Sequence, residues 1–149
     1  LGMAHIGYID KKSTPVKVDR PAGLSPSDKV KKVEVGIWHS CMLMNSGRVF
    51  CWGTNTYGHL GANLALGALP NNRSVKPIPI LVGTGGIPAG ERIIDLAAGA
   101  NRGCAVVENG RSYCWGLNDA GQIGDGTHID ARAPTESLFL RPTQNRYIY

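Results

Sequence analysis

Apolar positions come in short runs closed by turn residues. Cys41–Met44 is one such run, Asn45-Ser46-Gly47 interrupts it, and Val49–Trp52 is the next. The same order returns at Cys104–Val107, Glu108-Asn109-Gly110 and Ser112–Trp115. Runs of this length, bounded by Gly and Asn, predict strands joined as hairpins. The spacing also predicts the register. With Cys41 opposite Cys51, Met44 faces Arg48 and three residues form the loop. A three-residue loop is a type I turn followed by a left-handed residue, and Gly47 holds that position. Gly110 holds it in the second hairpin. Pairs alternate along an antiparallel ladder, which puts both cysteine pairs at non-hydrogen-bonded positions, where Cα atoms lie about 4.5 Å apart.

One face of the first hairpin then carries Cys41, Leu43, Val49 and Cys51. The other carries Met42, Met44, Phe50 and Trp52. Both faces are apolar, so each hairpin needs sheets on both sides. The two copies align without a gap, 63 residues apart. Gly36, Cys41, Gly47, Arg48, Cys51, Trp52, Gly53, Asn55, Gly58 and Gly61 match Gly99, Cys104, Gly110, Arg111, Cys114, Trp115, Gly116, Asn118, Gly121 and Gly124. A fixed period means one supersecondary unit that buries its faces only against neighbours. "KKVEVG" and "IIDLAAG" read as short inner strands, and "KPIPILV" as an edge strand that tolerates proline.

Composition agrees. The chain has 149 residues with 20 glycines and 9 prolines, as turn-rich all-β chains do. No apolar run is long enough to span a membrane, and the opening residues show no signal-peptide pattern. The net charge is +5, and Lys11, Lys12, Lys17, Arg20, Lys29, Lys31 and Lys32 supply much of it. These lysines lack interleaved aromatics, so they read as a solvated basic edge rather than a nucleic-acid surface. The four cysteines form two C-x9-C pairs. Two structural disulfides are the preferred reading. A zinc site and reduced core cysteines are the rivals, the zinc site disfavoured because zinc ligands come at closer spacing.

The motif "GIWHSC…GRVFCWGTNTYGHLG" resembles the repeat of the regulator of chromosome condensation family, and its cysteines resemble those of secreted bacterial members. The resemblance implies an all-β fold of four-stranded antiparallel blades, part of a seven-bladed propeller. Residues 1–33 read as the end of a preceding repeat and its link, 34–95 as one repeat with its link, and 96–149 as a second repeat running into the next link, "GDGTHIDARAPT" included. Two repeats do not close a ring, so further blades are expected from a longer chain or other subunits. The copies depart from the pattern at Arg102, which replaces a histidine, and at His59, which replaces a glutamine.

No catalytic constellation stands out. The histidines are scattered, no nucleophile elbow or phosphate loop exists, and "GDGT" is explained as a turn. The expectations are therefore no enzyme, no cofactor and no metal. Trp52 and Trp115 read as blade core. Function is expected on loops that differ between copies, where Trp38, His39, Tyr57, His59 and Arg102 are the candidate contacts. The expected role is a secreted or cell-surface module, extracellular or periplasmic, that binds a protein or a glycan. Guanine-nucleotide exchange or chromatin association, as in nuclear members, and a structural subunit of an extracellular assembly are the alternatives. Asn72-Arg73-Ser74 is a glycosylation sequon.

Overall fold

A computed structural model describes residues 14–138. It contains eight strands: β1 (Val30–Val35), β2 (His39–Met44), β3 (Val49–Thr54), β4 (Arg73–Pro79), β5 (Ile93–Ala98), β6 (Arg102–Val107), β7 (Ser112–Gly116) and β8 (Ala131–Glu136). They form two four-stranded antiparallel sheets, ordered β1-β2-β3-β4 and β5-β6-β7-β8. Each sheet is a meander in which chain order equals spatial order.

The hairpin registers are those the cysteines imply. Cys41 pairs with Cys51 and Met42 with Phe50; Cys104 pairs with Cys114 and Ala105 with Tyr113. Both cysteine pairs stand at disulfide distance, with Cα atoms 4.1 Å apart. The loops close by the Gly47 and Gly110 N–H groups donating to Met44 and Val107 carbonyls. Both glycines are left-handed, at φ 85° and 86°. A β-branched side chain is strained there, so Gly110→Val is expected to cost about 1 kcal/mol or more in chemical denaturation. Unchanged stability would show that this turn does not need its glycine.

The inner strands β1 and β5 lie where expected. β1 begins at Val30, so it crosses the boundary drawn at residue 34. "KPIPILV" contributes to β4, the outer strand. The stretch expected as a link, "GDGTHIDARAPT", behaves differently: Ala131–Glu136 pairs with β7 as the outer strand of its own sheet. Short spacing explains the misreading. The second copy reaches its outer strand sooner than the first, and the strand carries a proline that an edge position accepts. The opening residues 1–13, part of the expected preceding repeat, lie outside the described residues, as do 139–149.

The two sheets pack face to face. Cys41, Leu43, Val49 and Cys51 of the first meet Leu96, Ala105, Val107, Tyr113 and Trp115 of the second, with Leu60, Ile80 and Ile87 filling between them. Apolar area removed from water at such a junction stabilises it by about 25 cal/mol per Å². Polar bonds tie its rim. The Lys31 ammonium donates to the Ile94 carbonyl at 2.7 Å, and Lys32 donates to Asp95 Oδ1 at 2.9 Å and the Leu96 carbonyl at 2.7 Å. These two lysines, expected as part of a solvated edge, instead bridge the sheets. Trp52 and Trp115 are buried, as blade core requires.

Candidate functional site

The β1–β2, β3–β4, β5–β6 and β7–β8 connections all emerge at one end of the sheets. The meander dictates this, because alternate connections of an up-and-down sheet share an end. That end carries every residue singled out as a candidate contact.

At its centre is a buried histidine pair. The ring centroids of His39 and His59 are 5.2 Å apart, and His59 lies 5.5 Å from the Tyr57 ring. His39 is 3% exposed and His59 1%. His39 packs under Gly36, where any Cβ would collide with its ring and with the Gly99 carbonyl that follows β5. His59 is held from three sides. The Tyr57 main-chain N–H donates to Nδ1 at 3.4 Å, which leaves the proton on Nε2 facing Asn101 Oδ1 at 3.3 Å. The His59 carbonyl accepts from the Trp115 indole at 2.9 Å. Burial pushes the His39 pKa down to about 4, with the neighbouring His59 adding to the effect and the Arg102 main chain opposing it. Burial also lowers His59, against the bond to Asn101.

These two histidines were expected as contact residues, and that expectation is corrected. A side chain this enclosed cannot touch a partner. It sets the positions of neighbours that do. The pattern that would have shown this is the period-2 alternation running out of β2: His39 lies on the inward side of its strand end.

The remaining candidates divide differently. Trp38, next to His39 in the chain, is 47% exposed; Tyr57, against the His59 ring, is 39% exposed; and Ile37 beside Trp38 is 63% exposed. Arg102 is half-buried at the start of β6, opposite Gly116. The structure thus brings His39, His59 and Tyr57 together with Asn101, a residue that sequence reasoning did not select. The 63-residue period matches Asn101 with Trp38, and that substitution was the available signal.

The platform under this end is rigid. The Ile37 N–H donates to the Ala100 carbonyl at 2.9 Å, joining the two inner loops. Asn55 and Asn118, buried, accept from the Leu60 and Ile123 N–H groups through Oδ1 at 3.1 and 2.8 Å, so each loop folds around its asparagine. The Asn118 amide also donates to the Thr127 and Ile129 carbonyls at 3.1 and 3.0 Å. Asp125, in the "GDGT" turn, accepts from the Thr127 N–H and hydroxyl at 2.9 Å each. Among the described residues no cluster of three metal-ligating side chains occurs.

Two four-stranded meanders packed face to face, with alternate loops gathered at one end, define a segment of a β-propeller. Comparison with known proteins agrees. Models described as "Regulator of chromosome condensation (RCC1) repeat" match residues 30–58 and 93–122, and residues 46–106. The chain belongs to the RCC1 repeat family.

Human E3 ubiquitin-protein ligase HERC2 is 35% identical over 121 residues, which is 81% of this chain and 2% of that protein. Human probable E3 ubiquitin-protein ligase HERC3 is 32% identical over 119 residues, 80% of this chain and 10% of that protein. The chain therefore spans a small part of the curated relatives it matches. Among solved structures, human WBSCR16 superposes with a TM-score of 0.61 at 23% identity, covering 73% of this chain and 26% of that one. Prp20p from Saccharomyces cerevisiae gives 0.62 at 21%, covering 80% and 27%. Prp20p was described together with its binding properties to Gsp1p and histones. Likeness at these identities shows the fold.

The comparisons also correct the expectation that the protein is not an enzyme. Relatives that carry this repeat are named ubiquitin ligases. An absence of catalytic motifs in two repeats therefore says nothing about the protein that carries them.

Proposed function

We propose that this chain is a protein-recognition segment of an RCC1-type propeller, acting through the loop end that carries Trp38 and Tyr57. The observation that carries the reading is the contrast at that end. Two exposed aromatics stand on loops that differ between the copies, over a frame fixed by buried histidines and asparagines. Aromatic side chains anchor interfaces because they bring large contact area at small entropic cost. The binding of Gsp1p and histones described for Prp20p, a protein of this fold, supports the same reading.

We further propose an extracellular or cell-surface setting. Its support is chemical: two cross-strand cysteine pairs at disulfide distance are compatible with an oxidising compartment, where such bonds persist.

Trp38 offers a direct test. It is exposed while Trp52 and Trp115 are buried, so iodide quenching of fluorescence reports on it selectively. Trp38→Ala and Tyr57→Ala are expected to leave the thermal midpoint within about 2 °C of wild type, since surface substitutions cost little. Each is expected to weaken partner capture in cross-linking from native surface extract by about 10-fold, a loss of ~1.4 kcal/mol. Unfolding of either variant would make those aromatics core. Undiminished capture would move the contact surface elsewhere.

A further inference from the structure

The copies differ in how they reach the outer strand. In the second sheet, residues 125–130 lead from Gly124 to β8; in the first, residues 62–72 lead from Gly61 to β4. The longer connection reads "ANLALGALPNN". It is tied down at two places. The Asn63 N–H donates to the Arg132 carbonyl at 2.8 Å, and Leu69 packs against the core between the sheets. Between these anchors nothing covers it. Residues 65–68, Ala-Leu-Gly-Ala, are all exposed, and Leu66 is 62% exposed. An apolar tip held out in water invites association, so a group that shields it is favoured.

The connection ends in a short 3-10 turn, Pro70–Asn72, in which Asn71 and Asn72 are left-handed at φ 51° and 50°. Asparagine tolerates that conformation, which other side chains resist. Arg73 returns to extended backbone, and Ser74 follows it in β4. Asn72 is therefore displayed at a turn, with exposed Asn71 before it and exposed Val75 and Lys76 after Ser74. Its Oδ1 accepts from the Gly67 N–H at 2.6 Å, next to Leu66 in the chain. That bond holds the side-chain amide against the exposed tip and leaves Nδ2 outside it.

Asn72-Arg73-Ser74 is the single Asn-x-Ser/Thr sequence in the chain, and it falls at this tip. The repeated frame does not require it. Ser74 stands opposite Gly53 as Ala131 stands opposite Gly116, so Asn72 corresponds to Ile129 in the second sheet. The sequon thus belongs to the connection that the copies do not share, together with the apolar tip.

We infer that Asn72 carries an N-linked glycan whose first sugar covers the 65–68 tip and borders the recognition end on its outer side. This rests on the extracellular setting proposed above, because the transfer takes place in the secretory pathway. The donor is a lipid-linked oligosaccharyl diphosphate. The bond from its anomeric carbon to the diphosphate oxygen breaks and a bond to Asn72 Nδ2 forms. One amide proton is released and the lipid diphosphate leaves. The transferring enzyme reads the Ser74 hydroxyl before the chain folds; in the folded chain that hydroxyl donates to the Lys76 carbonyl at 2.7 Å. A sugar ring offers Leu66 an apolar face of C–H groups and turns its hydroxyls to water. The Asn72 carbonyl accepts from the Asn55 N–H at 2.7 Å, which ties the attachment point to the loop that presents Tyr57. Trp38 stands on the β1–β2 loop, across the strand order from β4, and stays clear of the glycan.

Protein isolated from its natural source decides. Enzymatic release of N-glycans in heavy-oxygen water is expected to convert Asn72 to labelled aspartate, read by mass spectrometry of the peptide spanning residues 49–73. Ser74→Ala, returned to the same source, keeps Asn72 and its bond to Gly67 and is expected to lack the label. Release of the glycan from folded protein is expected to raise binding of a fluorescent apolar dye by about 2-fold or more. Leu66→Ser is expected to remove most of that rise. Unmodified Asn72 in protein whose four cysteines are oxidised overturns the proposal and leaves the extracellular setting standing. Unmodified Asn72 together with free thiols overturns both. A glycan whose release leaves dye binding unchanged overturns the shielding of the tip.

Discussion

Reducing both cross-strand cysteine pairs is expected to lower stability by roughly 5 kcal/mol. Each bridge closes a loop with a sequence separation of 10 residues. In the chain-entropy account, restricting the unfolded chain over a loop of that size contributes ~2–3 kcal/mol per bridge. The two bridges sit in different sheets and share no partner, so their effects should add. The sum is a large share of the 5–15 kcal/mol typical of a folded domain. Urea unfolding with and without reductant measures the loss. Alkylation before reduction, followed by mass spectrometry, is expected to find no modified cysteine. Four modified cysteines, with no effect of reductant on the urea midpoint, would show that the thiols are unpaired and would remove the support for an extracellular setting.

Acid is expected to unfold the junction between the sheets at a pH where most carboxylates are still charged. His39 takes up a proton at about 4 in the folded chain and near 6.5 when unfolded. The unfolded chain therefore binds protons first. Stability contributed by the neutral ring is complete above pH 6.5, declines as pH falls below it, and is fully lost below about 4. At ~1.4 kcal/mol per pH unit, the loss from His39 reaches on the order of 3 kcal/mol, with about 2 kcal/mol already gone at pH 5. His59 shifts in the same direction and steepens the decline. Asp28, Asp95 and Asp125 are held below the usual carboxylate value and contribute only at lower pH. Urea midpoints between pH 7.5 and 5 isolate the histidines. His39→Asn is expected to flatten that slope by more than half. An unaltered slope in the variant would mean that another group carries it.

Both effects depend on the same architecture, and they act at different levels. The bridges lie within a hairpin and restrain the unfolded chain. The histidine pair lies where two sheets meet, and its protonation sets a buried charge into their junction. A recognition end built over that junction inherits its rigidity at neutral pH. Tyr57 lies against His59 and Trp38 precedes His39 in the chain, so the shape they present depends on His39 and His59 staying neutral and enclosed.

The sequence by itself determined the hairpins. Cys41 opposite Cys51, Gly47 at φ 85°, and apolar residues on both faces are local matters, governed by turn chemistry and a period of two. The period of 63 residues carried this to the second copy and made two sandwiched sheets the natural outcome. What tertiary structure decided lies across the junction and in the loops, where no period operates. Whether His59 is a surface contact or a buried pillar depends on His39, on Asn101 and on the Trp115 indole, which lies 56 residues away. Whether Ala131–Glu136 is a link or an outer strand depends on the free edge that β7 offers it. Whether Lys32 is solvated depends on Asp95 in the next sheet. Each of these outcomes is set by a partner distant in the chain. Loop residues reveal their burial only when such partners arrive, because their own spacing encodes no face.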